Sequence, residues 1–515
     1  MLRKARIISQ AFVLSLFIFL FIQTESKGHD ELGYPVKIFL DFDPLIFLST
    51  VLSSMSLETA FLLSLITVFL TITFGRVFCG WLCPFGALNN LVSLFNKKTK
   101  RPINWHPLKY YILLFLIVLS VFSIQFTGIF DPISLLIRSL SVGIYPALNE
   151  AINSILELIY KTEKGFLMEF SITLDRLLKK TILSFYQPYF VQGVFISSLF
   201  ITLLLLNLYE KRFWCRYLCP LGALLGLLSR YSIISRSVSE GCISCGKCEK
   251  SCPAGAYPGG EQTWLKQECY YCWNCDDLCP VDAVNFKPSL SKINTINATD
   301  ISRRRIAITF ASSLISIPIL NTSPVYKKDY FNPHLIRPPG ARNEKDFLDR
   351  CVKCGECMKV CITNGLQPTL LEAGIEGIWT PMLVPKLGYC EYRCTLCGQV
   401  CPTSAIKRLT LKEKEKTIIG LAMIDKGRCL PYAFDKPCIV CEEVCPTPKK
   451  AIFFKELKVK DKDGREIILQ QPYVDTELCV GCGICEAKCP VVDKPAIYVT
   501  SIGESRSKDN QLHML

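Results

Sequence analysis

Histidine is nearly missing from these 515 residues. The four that occur, His29, His106, His334 and His513, all lie outside the long apolar runs. The chain therefore cannot build an intramembrane bis-histidine haem from its own side chains. No C-x-x-C-H stretch occurs, which excludes covalent c-type haem, and no G-x-G-x-x-G, flavin motif or phosphate loop signals a nucleotide. The chain also lacks the short, bridge-dense character of a secreted disulfide scaffold, so its 28 cysteines point to metal ligation instead. The formal charge of +14 is no argument for nucleic acid. Ligand thiolates are left out of that count, and six [4Fe–4S]²⁺ cubes with four thiolates each would carry about −12.

What is present is unevenly spread. Long uncharged runs dominate the first 210 positions and cysteine clusters dominate 242–489, in a length that suits three or four domains. Four runs have about the length of a bilayer span: Ile7–Thr24, Thr59–Gly75, Tyr110–Phe130 and Tyr189–Tyr209. The first is followed by QTESKG, which offers no small-residue cleavage site, so it is expected to stay as an anchor. Basic residues flank alternate ends: Arg3, Lys4 and Arg6; then Arg76, Lys97, Lys98, Lys100, Arg101 and Lys109; then Lys211, Arg212, Arg216, Arg230 and Arg236. The positive-inside rule places those ends in the cytoplasm. Glu25, Asp30, Glu31, Asp41 and Asp43 fall in the first outer loop. In the second outer loop, Ile152, Ile155, Leu156 and Ile159, and then Leu174, Leu177 and Leu178, follow helical spacing. These helices either lie on the outer membrane surface or pack against the bundle.

The membrane half repeats itself. RVFCGWLCPFGAL (76–88) matches RFWCRYLCPLGAL (212–224), and FDPL (42–45) matches FDPI (130–133), in the order span, F-D-P, span, C-x3-C-P, twice. A parallel repeat implies a pseudo-twofold axis along the membrane normal. It should bring Cys79, Cys83, Cys215 and Cys219 together at the cytoplasmic face, each pair on one side of a helix that the proline ends. Four such thiols could hold a metal or cluster, form redox-active pairs, or be small buried apolar residues. Asp43 and Asp131 read as an N-cap before a proline at the first helical position. As acids in a membrane half they are also candidates for accepting protons.

The second half is written in cysteine. Cys242, Cys245, Cys248 and Cys252-Pro253, then Cys269, Cys272, Cys275 and Cys279-Pro280, follow C-x2-C-x2-C-x3-C-P without deviation. Two such runs make a bacterial two-cluster ferredoxin, in which the fourth cysteine of each run crosses to the other cluster. One cluster should take Cys242, Cys245, Cys248 and Cys279; the other takes Cys269, Cys272, Cys275 and Cys252. Zinc would need paired C-x2-C knuckles instead. Four more quartets follow: Cys351, Cys354, Cys357 and Cys361; Cys390, Cys394, Cys397 and Cys401; Cys429, Cys438, Cys441 and Cys445; Cys479, Cys482, Cys485 and Cys489. Ile362 replaces the proline in the first, and the second and third carry insertions in their first gap, so sequential and nested pairing both stay open. Six quartets and two pairs use every cysteine, which leaves none for a structural disulfide. Between the ferredoxin and these quartets, Ser302 and Arg303–Arg305 precede 21 uncharged residues, Ile306–Tyr326, like a twin-arginine export signal kept as a fifth span.

Two C-x3-C-P motifs on a four-span bundle, followed by a two-cluster ferredoxin, resemble the NapH-type membrane ferredoxins of periplasmic nitrate reduction. The stretch from SRRR through LIRPPGA (335–341) to the four quartets resembles the NapG/MauM ferredoxins. The implied fold is a multidomain membrane protein, an α-helical transmembrane bundle of four spans plus a fifth with α+β bacterial-type ferredoxin domains. Its expected parts are the bundle (1–236), a cytoplasmic two-cluster ferredoxin (237–290), a linker and fifth span (291–326), and a periplasmic four-cluster domain (327–515). The resemblance implies a quinol dehydrogenase component in a bacterial inner membrane, multi-pass with its N-terminus cytoplasmic. It would take electrons from the quinone pool through six [4Fe–4S] clusters to a periplasmic cytochrome or reductase, such as nitrate reductase. An alternative is an accessory factor supplying electrons for metal-centre maturation. Either way, about 30 Å of bilayer core separates the inner clusters from the outer ones, with no obvious carrier between.

Overall fold

The Leu2–Gln23 helix contains neither glycine nor proline, and at 1.5 Å per residue it rises about 33 Å. In the computed structural model it is, among the described residues, the one helix long and apolar enough to cross a membrane. Those residues are all except 1, 27, 29, 57–61, 97–104, 162–164, 185, 258–263, 289–300, 323–331, 461–465, 508–509 and 511–515. His29, Thr59, Lys97, Lys98, Lys100, Arg101, Tyr326 and His513 accordingly lie outside them.

The other expected spans are shorter helices: Ser64–Phe74, Leu108–Val121 and Gly193–Tyr209, rising about 16, 21 and 26 Å against a core of about 30 Å. The apolar run Tyr110–Phe130 conceals a break. Its helix stops at Val121, Ser123 turns left-handed (φ 61°), and its hydroxyl donates to Ser53 O at 3.2 Å. The expected fifth span is an 18-residue helix, Arg303–Leu320, whose three arginines, three serines and Pro318 keep it below spanning apolarity. It packs along Leu108–Val121.

The chain divides into two compact units that cut across its linear order. The first comprises Met1–Gln23, Tyr34–Leu140 and Val194–Leu320. Here the repeat is visible as repeated geometry. Asp43 caps the Pro44–Ser54 helix, its Oδ1 accepting from Leu45 N (2.8 Å) and Ile46 N (3.2 Å). Asp131 caps Pro132–Ser139 in the same way, its Oδ2 accepting from Ile133 N (3.1 Å) and Ser134 N (2.7 Å). Each C-x3-C lies on one π-helical turn, Phe78–Leu82 and Trp214–Leu218, with Cys83 N donating to Phe78 O (2.9 Å) and Cys219 N to Trp214 O (3.0 Å). The prolines do not end those turns. Pro84 and Pro220 instead start the next helices, Pro84–Ser93 and Pro220–Ser229, with Cys83 and Cys219 as their N-caps.

Residues 234–257 and 264–288 fold against this duplicated frame. Ile234–Val238 pairs antiparallel with Val284–Pro288, with Arg236 opposite Phe286. The contact is anchored by Glu268, which is buried with Arg76, Lys109, His106 and Tyr110. Arg76 Nη1 lies 3.2 Å from Glu268 Oε2, the Lys109 ammonium bonds the same oxygen, and Tyr110 OH donates to Oε1 at 2.8 Å. Leu2–Gln23 packs beside it, Gln10 Nε2 donating to Gly80 O (2.6 Å) and Arg3 pairing with Asp277 (2.8 Å).

The second unit comprises Thr24–Gly33, Ser141–Gly193 and Asn321–Leu515. Three antiparallel ribbons frame it: Leu366–Pro368 with Pro381–Leu383, Leu421–Ile424 with Ile497–Thr500, and Ile452–Lys460 with Glu466–Val474. Both stretches that hydropathy assigns to outer loops join this unit. Asp30 accepts from Thr395 N (2.6 Å) and Thr395 Oγ1 (2.8 Å), and Lys359 Nζ donates to Thr24 O (3.0 Å). Tyr189 O accepts from Asn364 Nδ2 (2.5 Å) and Gln367 Nε2 (3.0 Å). The two amphipathic segments are helices, Tyr145–Tyr160 and Gly165–Thr181, packed on each other with Leu156 inside. Ile155, Leu158, Phe166 and Leu177 remain exposed.

The buried charge cluster generates a stability prediction. Burial by itself would raise the Glu268 carboxyl, but Lys109, His106 and Arg76 outweigh it and hold the group at about 2. A depressed carboxyl contributes its full stability above the ordinary value near 4.5 and loses it as pH falls from there towards 2. Glu268→Gln strands two buried cations and is expected to cost about 3–5 kcal/mol. Thermal unfolding of the purified protein at pH 7 would show a lower midpoint for the variant, and an unchanged midpoint would contradict the account.

Candidate metal centres

Four cavities of like size, about 350, 330, 370 and 420 Å³, are each walled by four cysteines. In every case three come from one run and the fourth from its neighbour. Cys269, Cys272 and Cys275 meet Cys252. Cys351, Cys354 and Cys357 meet Cys401, while Cys390, Cys394 and Cys397 meet Cys361. Cys479, Cys482 and Cys485 meet Cys445. Cys429, Cys438 and Cys441 gather together, and Cys489 stands near enough to Cys429 to act on its charge. Runs three and four, and five and six, therefore interlock sequentially, whatever their insertions. Cys242 and Cys245 are exposed, Cys248 and Cys279 half-buried.

Backbone geometry explains how a short run encloses a guest. In the four regular runs the second and fourth residues after the first cysteine are left-handed: Ser244 and Gly246, Tyr271 and Trp273, Lys353 and Gly355, Gly481 and Gly483. Reversing the coil twice wraps the chain around a centre and turns amides to sulfur, as where Tyr271 N donates to Cys269 Sγ (3.4 Å); after the fourth cysteine, Ile406 N donates to Cys401 Sγ (3.4 Å) and Ala283 N to Cys279 Sγ (3.3 Å). Burial pushes the unliganded thiols up, Cys275 and Cys441 each to about 12. Such sulfurs ionise readily only against a bound cation.

The second run is unusual in placing two aromatic residues, Tyr271 and Trp273, at these positions, where the others carry serine, lysine or glycine. The rings are needed elsewhere. A Cβ on Gly75 would fall 2.0 Å from the Tyr271 ring, and one on Gly80 would fall 2.3 Å from Tyr270 O. Trp81 Nε1 donates to Tyr271 O at 3.0 Å and its ring meets Trp273 edge-on at 5.7 Å.

Cys79, Cys83, Cys215 and Cys219 are all buried and near enough for each to act on its neighbours' charge. Asp43 and Asp131 are fully buried too. One oxygen of each caps its helix; Asp43 Oδ2 and Asp131 Oδ1 have no N–H or O–H donor, and each carboxyl has the other as its neighbour. Burial raises both carboxyls above the ordinary carboxylate range, and for Asp43 the neighbouring Asp131 adds to the rise. Sequence reasoning counted Arg76 and Arg212 only as flanking charge and missed Tyr270, Glu268 and His106. Both arginines are fully buried, at 4.9 and 5.1 Å from the centre of the Tyr270 ring. Their common position, three residues before the first cysteine of each repeat, was the available signal.

Comparison with known proteins agrees with this division. A family described as "4Fe-4S binding domain" matches residues 58–102 and 192–239, and one described as "4Fe-4S dicluster domain" matches 436–492. Ferredoxin-type protein NapG of Escherichia coli K12 is 33% identical over 175 residues, covering 34% of this chain and 73% of NapG. The methylamine utilization ferredoxin-type protein MauM of Methylorubrum extorquens is 37% identical over 168 residues, 32% of this chain and 71% of MauM. MauM of Methylobacillus flagellatus is 32% identical over 202 residues, 38% of this chain and 79% of that protein. No solved structure matches.

Interlocked housings predict a particular non-additivity. Cys351→Ser combined with Cys401→Ser should lose no more iron than Cys401→Ser alone, since both line one cavity. Cys390→Ser combined with Cys401→Ser should lose twice as much. Iron counting on the anaerobically purified full chain would reveal the reverse order if each run served itself.

Proposed function

We infer the function from family and housing together: the chain belongs to the NapG/MauM ferredoxin-type family and is an iron–sulfur electron-transfer protein. Beyond that, we propose that it oxidises quinol at its membrane half and delivers the electrons to an acceptor outside the cytoplasm, such as a periplasmic cytochrome or a nitrate reductase. The observation that carries the reading is the recurrent four-cysteine cavity, which fits a [4Fe–4S] cube in number of thiols and exchange of the fourth ligand. Six clusters, when bound by the six quartets, would supply one-electron carriers.

The protein's own residues would do the rest. Oxidation of a quinol releases two electrons and two protons. The Asp43–Asp131 pair is the candidate proton acceptor, because as one acid and one carboxylate it can take up a single proton at Asp43 Oδ2 or Asp131 Oδ1, while the second proton leaves to solvent. Glu268, locked by two cations, is poorly suited to that role. Amides that donate to cysteine sulfur favour the reduced, more anionic state of whatever those sulfurs bind.

Topology follows the same reading. Thr24–Gly33 and Ser141–Gly193, which charge assigns to the outer side, share one compact unit with Asn321–Leu515. This supports a bacterial inner-membrane protein with a periplasmic four-cluster domain and a cytoplasmic N-terminus. Two measurements test the proposal. Anaerobic addition of a quinol to the purified protein should produce the EPR signal of reduced clusters, and failure in a sample with full iron content would sink direct quinol oxidation. Alkaline phosphatase fused after residue 326 should be active; activity only of a cytoplasmic reporter there would overturn the exported arrangement.

A further inference from the structure

Each match to the "4Fe-4S binding domain" family contains only two cysteines, Cys79 and Cys83 in one and Cys215 and Cys219 in the other. That is half the thiol complement a cube takes. The fold joins the two halves. We propose that Cys79, Cys83, Cys215 and Cys219 together hold one further iron–sulfur cluster across the repeat axis, with Arg76, Arg212 and Tyr270 as its positioning residues.

The halves are exchanged with one another. A Cβ on Gly222 would lie 2.7 Å from Arg76 Nη2 and 3.4 Å from Cys219 Sγ, so the guanidinium of the first repeat stands beside a thiol of the second. Reciprocally, Arg212 Nη1 donates to Cys79 O at 3.4 Å. Cys83 Sγ accepts from Gly86 N at 3.3 Å and Cys219 Sγ from Gly222 N at 3.2 Å. Both therefore sit as sulfur acceptors at the N-terminal ends of ten-residue helices.

Charge asks for an anion there. Arg212 has no exposed surface and no acidic partner among the described residues, and its Nε and Nη2 have no acceptor. Arg76 likewise leaves Nε and Nη2 without one, as Tyr270 leaves its hydroxyl. Uncompensated buried guanidinium is costly, whereas a cluster with four thiolates carries net negative charge and supplies the missing counterion. Tyr270 lies directly between Cys269 and the residues leading to Cys272, which places this centre against the Cys252, Cys269, Cys272 and Cys275 housing within the same unit. The inference rests on the electron-transfer reading: the centre would exchange one electron at a time with that housing, quinol being the reductant.

The test uses the full chain, purified anaerobically. Cys83→Ser and Cys219→Ser should each lose the iron and sulfide of one cluster, and the double variant no more than either. Wild-type iron and sulfide in all three would overturn the proposal. Arg212→Gln guards against a variant that merely misfolds: it should keep its iron but move the midpoint potential of one centre to a more negative value, since a neighbouring cation favours the reduced state. If every potential stays put, the positioning role fails. A wild-type protein without iron in its ferredoxin quartets would defeat the broader reading instead, so the two failures are told apart.

Discussion

The Tyr270 ring, approached by both Arg76 and Arg212, is the contact on which the first unit depends. A duplicated segment that meets itself across an axis presents every group near that axis twice. Two buried guanidiniums near such an axis repel unless something shared attracts both. The aromatic face offers that, at up to about 2 kcal/mol for each desolvated cation. Because Tyr270 lies within the C-Y-Y-C of the second ferredoxin run, the contact that satisfies the repeat also docks the ferredoxin.

Other features follow from the docking. Gly75 and Gly80 are required because ring and backbone approach where a side chain would stand. Tyr271 and Trp273 accept left-handed backbone, at a cost of about 1–3 kcal/mol each, in exchange for aromatic contact with Trp81 and Phe286. Glu268, one residue before the run, brings a carboxylate to Arg76 and Lys109, and its burial is tolerated because both cations and Tyr110 bond it. His106, which lies outside the long apolar runs, is buried beside that carboxylate, and burial keeps it neutral, at about 4.

The second unit solves a different problem. Its runs carry insertions that make their pairing ambiguous on paper, yet the ribbons frame them so that fourth cysteines cross between neighbours. Thr24–Gly33 and Ser141–Gly193 are bound to it through Asp30, Tyr189 and Thr24, so loops that look like connectors are part of the cluster-bearing body.

Spacing by itself determined the chemistry of this chain. The intervals between cysteines are local, and a run of C-x2-C-x2-C-x3-C commits its backbone to enclosing a guest wherever it lies. The duplicated F-D-P and C-x3-C-P stretches and the helix caps at Asp43 and Asp131 were local in the same sense. The length of the apolar helices was not, because a left-handed Ser123 and the hydroxyl bonds of Gln125 end a helix that hydropathy would continue. Nor was the meeting of Arg76, Arg212 and Tyr270, or of Cys361 with Cys390, legible, since these depend on residues many positions apart arriving at one place. Ligand type is carried by neighbours along the chain; who shares a centre with whom is decided only when the chain closes on itself.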